Sequence, residues 1–179
     1  IGCATTAMRM LGHPEYKLWC DYERMVRVYD IAPPPGFFTT QAFNAGLATL
    51  LRTLHKTNAH PLDQHIHNGS QTSRSLLNLN EPVIKHFLIA MDMAVRDYVN
   101  RLTDKDPIGA RRARNSHYGG LWSVRLTDGG YQPNHVHDHG WISSAYYVSL
   151  MPAERQRDPK AGWLKFGEPK YPPANCGPE

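Results

Sequence analysis

The spacing of apolar residues changes near residue 107, and this change limits the folds open to the chain. Before it, apolar side chains recur every three or four positions over 38–54 and 82–102, which predicts two amphipathic helices. Thr39 or Thr40 can cap the first, and Pro82 suits the first turn of the second. Beyond it, runs rich in β-branched and aromatic residues predict strands near 121–127, 131–137, 142–150 and 161–167. Helices followed by an antiparallel sheet predict an α+β fold.

Composition is that of an ordinary globular protein, with 41% hydrophobic and 20% charged residues among 179. No apolar run is long enough to cross a membrane, and no signal peptide is recognisable. The net charge of +4 is small and partly local to 111–114, so nucleic acid is not an expected partner. Cys3, Cys20 and Cys176 are odd in number and far apart, which indicates a reducing compartment. We therefore expect a soluble, cytoplasmic protein without a membrane partner.

Proline and glycine divide the chain into two unequal parts. Residues 1–35 read as an N-terminal helical connector that ends in the breaker Pro33-Pro34-Pro35-Gly36. Residues 36–179 form the main domain, in which 61–80 is polar and turn-rich and predicts a loop with short strands at most. The chain opens abruptly and without Met, so we expect it to begin within a longer protein.

A histidine cluster follows the turn predicted at 127–130. Residues two apart on a strand face the same side, so His135 and His137 can present two imidazoles to one metal ion. Asp138 is an alternative ligand if the chain turns after His137, whereas His139 fits the rim of the site better. His67 lies in a polar stretch without comparable support, and we interpret it as a loop residue.

Several motifs together carry a resemblance to a known family. The chain resembles the 2-oxoglutarate- and Fe(II)-dependent oxygenases, in particular bacterial forms often attached behind tetratricopeptide repeats. The motifs that carry it are Trp19-Cys20-Asp21-Tyr22, Val26-Arg27-Val28-Tyr29, Pro33-Pro34-Pro35-Gly36-Phe37, His60-Pro61-Leu62-Asp63-Gln64, Trp122-Ser123-Val124-Arg125-Leu126, Asn134-His135-Val136-His137, Gly140-Trp141-Ile142-Ser143-Ser144-Ala145-Tyr146-Tyr147-Val148 and Gly162-Trp163-Leu164-Lys165-Phe166-Gly167. The resemblance implies N-terminal helices packed on a double-stranded β-helix, or jelly-roll, core. It also implies Fe(II) as cofactor, 2-oxoglutarate as co-substrate, and hydroxylation of a substrate with release of succinate and CO2.

Individual roles follow from the same resemblance. His135 would be the first metal ligand, and His137 stands where related oxygenases usually carry Asp or Glu. Tyr147 would contact the distal carboxylate of 2-oxoglutarate. The family's distal His ligand and its carboxylate-binding Arg are not reached before Glu179. We therefore expect a fragment that lacks the C-terminal strands, with a repeat domain upstream of residue 1.

Two other interpretations of the histidine motif stay open. The first is a metal-binding cupin, because Gly129 and the His135-Val136-His137 triplet match the opening of the cupin motif, although Trp141 and Ile142 occupy the places of its Glu. The second is a catalytically inactive binding domain of the same fold, since a third ligand is missing. The substrate, whether protein, peptide or small molecule, carries no readable signature.

Overall fold

The computed structural model describes residues 2–56, 66–107, 109–111, 115–137, 140–152, 154 and 156–170. Within these ranges the chain forms helices and one small antiparallel sheet. The helices are α1 (Gly2–Met10), α2 (Tyr16–Trp19), α3 (Tyr22–Met25), α4 (Thr40–Leu54) and α5 (Pro82–Arg101). The strands are β1 (His67–Gln71) and β2 (Val124–Tyr131). Single 3-10 turns span Leu76–Asn78 and Gly109–Arg111.

Helix α4 confirms the first predicted helix. It begins behind Thr39, whose Oγ1 accepts a hydrogen bond from the backbone N–H of Ala42 at 3.1 Å. This bond satisfies one of the donors that a helix leaves unpaired at its start. The buried face of α4 includes Phe43, Leu47 and Leu51, at the predicted spacing.

Helix α5 confirms the second, with Pro82 as its first residue. Ile84, Phe87 and Met91 are buried and pack with the apolar face of α4 in one hydrophobic cluster. Burying each such side chain contributes roughly 1.5–3 kcal/mol, so this helix pair is the main source of stability among the described residues. No helix in the described ranges is long and apolar enough to cross a membrane.

The sheet joins two segments that are far apart in sequence. Strand β1 pairs antiparallel with β2, and its register shifts between His67, opposite Tyr131, and Gly69, opposite Leu126. The extra residues of β2 bulge out of the ladder, where Gly129 has a φ of 70°. A Cβ at Gly130 would lie 2.3 Å from the carbonyl oxygen of Asn68, so the close approach of the strands requires glycine there. The turn predicted at 127–130 is thus a bulge inside β2.

Three of the four predicted strands were wrong. Strand β2 overlaps the one predicted at 121–127 and ends at Tyr131, the first residue of the strand predicted at 131–137, whereas 132–137, 142–150 and 161–167 form no strand. A strand needs a neighbour for its backbone N–H and C=O groups, and the described residues pair none with these segments. Tyr146 and Val148 instead pack against the helical cluster. The described residues are therefore α+β with a two-stranded sheet, and a jelly-roll core is not confirmed.

The N-terminal region is attached to α5 by polar contacts. Tyr29 donates a hydrogen bond from its hydroxyl to Asp97 Oδ2 at 2.8 Å, and the Tyr98 hydroxyl donates to the carbonyl of Met25 at 2.7 Å. Arg24 forms an ion pair with the buried carboxylate of Asp106. These contacts place α3 beside the second helix of the core.

Candidate functional site

The two histidines singled out from the sequence lie side by side in the loop after β2. His135 Nδ1 is 2.8 Å from the carbonyl oxygen of Pro133, and His135 Nε2 is 3.2 Å from His137 Nε2. The carbonyl can only accept, so His135 carries its proton on Nδ1 and a lone pair on Nε2. Without metal, His137 Nε2–H is then the donor between the rings, and this proton would have to leave Nε2 when both Nε2 atoms bind one ion. The chain brings the imidazoles together in a loop, although the prediction placed them on a strand.

This geometry suits two ligands of one metal ion. Two nitrogens bound at about 2.1 Å, with an angle of about 90–110° between them, lie roughly 3.0–3.4 Å apart. The observed separation of 3.2 Å falls in that range. A backbone carbonyl on Nδ1 is also the usual outer partner of a metal-binding histidine, because it orients the ring and keeps Nε2 basic. The two side chains are exposed, so an ion can reach them.

A complete ligand set is not visible in the part of the chain that the structure describes. Within it, no group of three or more His, Cys, Asp or Glu side chains is arranged to hold a metal. Asp138, the alternative carboxylate ligand, lies outside the described residues, as does His139. His67 stacks on Tyr131 with ring centroids 4.6 Å apart, at the end of the sheet nearest to the histidine loop in sequence.

Tyr147 and its neighbour face opposite ways. The Tyr147 hydroxyl donates to the carbonyl of Gly162 at 2.6 Å, and the side chain is exposed. The Tyr146 hydroxyl donates to Asn44 Oδ1 on α4 at 2.7 Å, and its ring packs edge-on against Phe87 at 5.1 Å. Tyr146 therefore fixes this segment to the core, while Tyr147 presents its phenol on the outer side.

Asn134 and Glu168 were not assigned a role from the sequence. Asn134 Nδ2 donates to the carbonyl of Pro169 at 3.2 Å, directly before the histidine pair. The Glu168 carboxylate accepts a hydrogen bond from Lys165 and another from Asn134. These two bonds hold the pKa of Glu168 below its usual range. The sequence contains Asn134 within the histidine motif, but its partners are more than 30 residues away and could not be read from the motif.

His55 is a second residue that sequence reasoning missed. It follows α4 directly, and its Nδ1 is 2.8 Å from Ser70 Oγ while its Nε2 is 3.0 Å from Ser123 Oγ. Burial lowers the pKa of His55, and the positive charge of Arg125 lowers it further. A neutral His55 thus joins the end of α4 to β1 and to the residue before β2, which is a structural role.

Two clefts of the surface lie away from the histidine pair. One of about 370 Å³ is lined by the outer face of α4, including Asn44 and Arg52, together with Val148. Another of about 530 Å³ is lined by residues that include Asp128, Glu154 and Arg157. Neither of these two clefts is lined by His135, His137 or Tyr147.

Comparison with known proteins supports the class of chemistry that the site suggests. A family model described as "Putative 2OG-Fe(II) oxygenase" matches residues 120–176, about one third of the chain. The matched segment contains His135, His137, Tyr147 and Glu168. No curated protein and no solved structure matches the chain significantly. The segment from 120 to 176 is therefore similar to 2-oxoglutarate- and Fe(II)-dependent oxygenases.

Proposed function

We propose that this chain carries the metal-binding segment of a 2-oxoglutarate- and Fe(II)-dependent dioxygenase that hydroxylates an organic substrate with release of succinate and CO2. The observation that carries the proposal is the separation of 3.2 Å between His135 Nε2 and His137 Nε2, with Nδ1 of His135 held by the Pro133 carbonyl. The family match over the same segment supports it independently. Fe(II) with bound 2-oxoglutarate would activate O2, which is the oxidant: one oxygen atom would enter succinate as 2-oxoglutarate loses CO2, and the other would enter the C–H bond of the substrate.

The chain's own residues would have separate tasks in this reaction. His135 and His137 hold the metal from one side, with Asp138 as the alternative to His137. Tyr147 turns its hydroxyl from the Gly162 carbonyl to the distal carboxylate of 2-oxoglutarate, a charge-assisted bond that is stronger than the neutral one. Asn134 and Pro133 keep the first histidine oriented. These tasks are binding and orientation, which is what a protein contributes around such a cofactor.

The proposal also covers the domain bounds, the fold, the class of substrate and the location. We place the catalytic domain at 36–179 behind a helical connector at 1–35, and we assign it the jelly-roll core that the resemblance implies. The substrate is a protein, a peptide or a small molecule. The reducing compartment implied by the three cysteines makes the cytoplasm the proposed location.

The test is binding of 2-oxoglutarate to the metal-loaded protein without oxygen, followed by succinate formation when air is admitted. We expect 2-oxoglutarate to bind only with Fe(II) present, and succinate to require both. His135→Ala and His137→Ala remove both signals, whereas His117→Ala, at an exposed histidine outside the loop, keeps them. Tyr147→Phe weakens 2-oxoglutarate binding by about tenfold through loss of one charge-assisted hydrogen bond.

A second candidate is a binding domain of the same fold without catalysis. It is favoured by one observation, namely that the described residues supply two ligands where a facial site needs three. Metal binding that depends on His135 and His137, without any Fe(II)-dependent binding of 2-oxoglutarate, would establish this alternative and overturn the dioxygenase.

A further inference from the structure

The histidine loop, residues 132–137, is not held by the backbone hydrogen bonds of a strand or a helix. Residues 132–137 follow the end of β2 and belong to no strand or helix. Both imidazoles must nevertheless stay within a few tenths of an ångström of their places to share one ion. Some other contact has to fix the backbone that carries them.

Asn134 makes that contact. Its side-chain amide donates to the carbonyl of Pro169 at 3.2 Å, and Asn134 is the residue directly before His135. The bond therefore connects the start of the histidine pair to a stretch of chain 35 positions away. We call that stretch, residues 165–169, the clamp segment.

The clamp segment is itself held in place. Lys165 and Glu168 form an ion pair within it. Helix α1 also binds the clamp segment, because Arg9 Nη1 donates to the carbonyl of Gly167 at 3.1 Å. The ring of Phe166 lies 5.6 Å from the ring of Tyr22, the first residue of α3.

Helix α1 also approaches the histidine loop directly. A Cβ added to Gly2 would lie 3.1 Å from Val136 Cγ1, so the first turn of the helix lies against the residue between the two histidines. The N-terminal helices thus contact both the loop and the segment that holds it.

We infer that the clamp segment, anchored by Arg9 of α1, positions His135 and His137 through the hydrogen bond from Asn134 to Pro169. Asn134 is a positioning residue here and not a metal ligand. The metal-binding part of the inference rests on the proposed function, whereas the arrangement of the two rings does not. The N-terminal helices are then a support for the site as well as a connector.

The test uses one readout without metal and one with it. The first is the nuclear Overhauser effect between the rings of His135 and His137, whose centroids are 5.0 Å apart. The second is the affinity for Zn(II), a redox-inert probe. Asn134→Ala should weaken the ring contact at least threefold and lower Zn(II) affinity by about tenfold, the lower end of the effect of losing a direct outer partner, because Asn134 acts through the backbone of His135.

Two further variants separate positioning from a general loss of structure. Arg9→Ala substitutes no residue of the histidine loop, but it removes the hydrogen bond from α1 to Gly167 and so loosens the clamp segment. It should therefore weaken the ring contact and the Zn(II) affinity in the same direction as Asn134→Ala, but less. Asn115→Ala, at an exposed asparagine, should match the wild type in both readouts. The urea midpoint of all variants is expected to stay at the wild-type value.

Each result decides one question. If Asn134→Ala leaves the ring contact unchanged, the inference is overturned. It is also overturned if the ring contact weakens while Zn(II) affinity stays at the wild-type value. If the wild type binds no metal but Asn134→Ala still separates the rings, the proposed function fails and the positioning role stands.

Discussion

The helix pair α4–α5 buries its apolar side chains, whereas the segment from 120 to 170 leaves many of its own exposed. Phe43 and Ile84 are 0% and 1% exposed, while Trp163 is 71% exposed and most of β2 is open to solvent. The family match covers the exposed segment and not the helix pair. Stability and candidate chemistry are therefore carried by different parts of the chain, as is common when sites are attached to a stable scaffold.

The two regions meet where Leu121, Tyr146 and Val148 pack against the helical cluster, and at two sets of hydrogen bonds. Tyr146 reaches Asn44 and Phe87 from the exposed segment, and His55 reaches Ser70 and Ser123 from the end of α4. Substitutions in one region should therefore affect the other mainly through these joints.

The largest effect is expected in the helix pair. Phe43→Ala removes a fully buried ring and leaves a cavity, which should lower the free energy of unfolding by about 3–5 kcal/mol. Phe38→Ala is the matched control, because Phe38 is 100% exposed and its loss should change stability by less than about 0.5 kcal/mol. Urea denaturation followed by circular dichroism measures both. Equal effects at the two positions would contradict the proposed core.

A smaller effect is expected in the sheet. Gly130→Ala drives a methyl group against the backbone of Asn68, and it should lower the free energy of unfolding by about 1–3 kcal/mol. Gly119→Ala has open space around the new methyl group and serves as the control. Thermal unfolding of both variants gives the comparison, and a Gly130 variant as stable as the control would mean that the bulge is not packed as described.

The smallest effect is a pH dependence at the joint. The pKa of His55 is lower in the folded chain, mainly through burial, so the unfolded state takes up a proton first as the pH falls below about 6.5. The contribution of neutral His55 is fully present above that pH and is lost progressively as the pH falls toward the folded pKa. His55→Gln should therefore reduce the difference in unfolding free energy between pH 7.5 and 5.5.

Ser123→Ala is the control for this titration. It removes one hydrogen bond of His55 but leaves the burial that lowers the pKa, so it should reduce stability at both pH values and keep most of the difference between them. If His55→Gln keeps the wild-type pH difference, this joint does not titrate as described.

Features that depend on neighbouring residues in the sequence were predictable, whereas features that depend on distant segments were not. Helices α4 and α5 were predicted with their starts, because the apolar spacing, the Thr39 cap and Pro82 are local signals. Strand β1 lies in the stretch for which the sequence predicted a loop with short strands at most, and its bounds were not predicted because it is polar and its partner lies more than 50 residues away. The strands at 142–150 and 161–167 were predicted from composition, which cannot show whether a neighbour is present to pair with.

The candidate site was predictable only in part for the same reason. Sequence reasoning brought His135 and His137 together, although by the alternation of a strand that is not formed there. It gave no role to Asn134 or His55, whose partners Pro169, Ser70 and Ser123 are brought near by tertiary packing. Spacing identifies residue types suited to a metal, whereas their orientation depends on distant segments.

The most direct test of the account is nitrogen-15 NMR of the histidine side chains during titration with Zn(II), a diamagnetic probe. We predict that one equivalent shifts the Nε2 signals of His135 and His137 together and leaves Nδ1 of His135 protonated toward the Pro133 carbonyl. Zn(II) that shifts neither Nε2 signal, or that binds His135 through Nδ1, would contradict the claim that this pair is a metal-binding site.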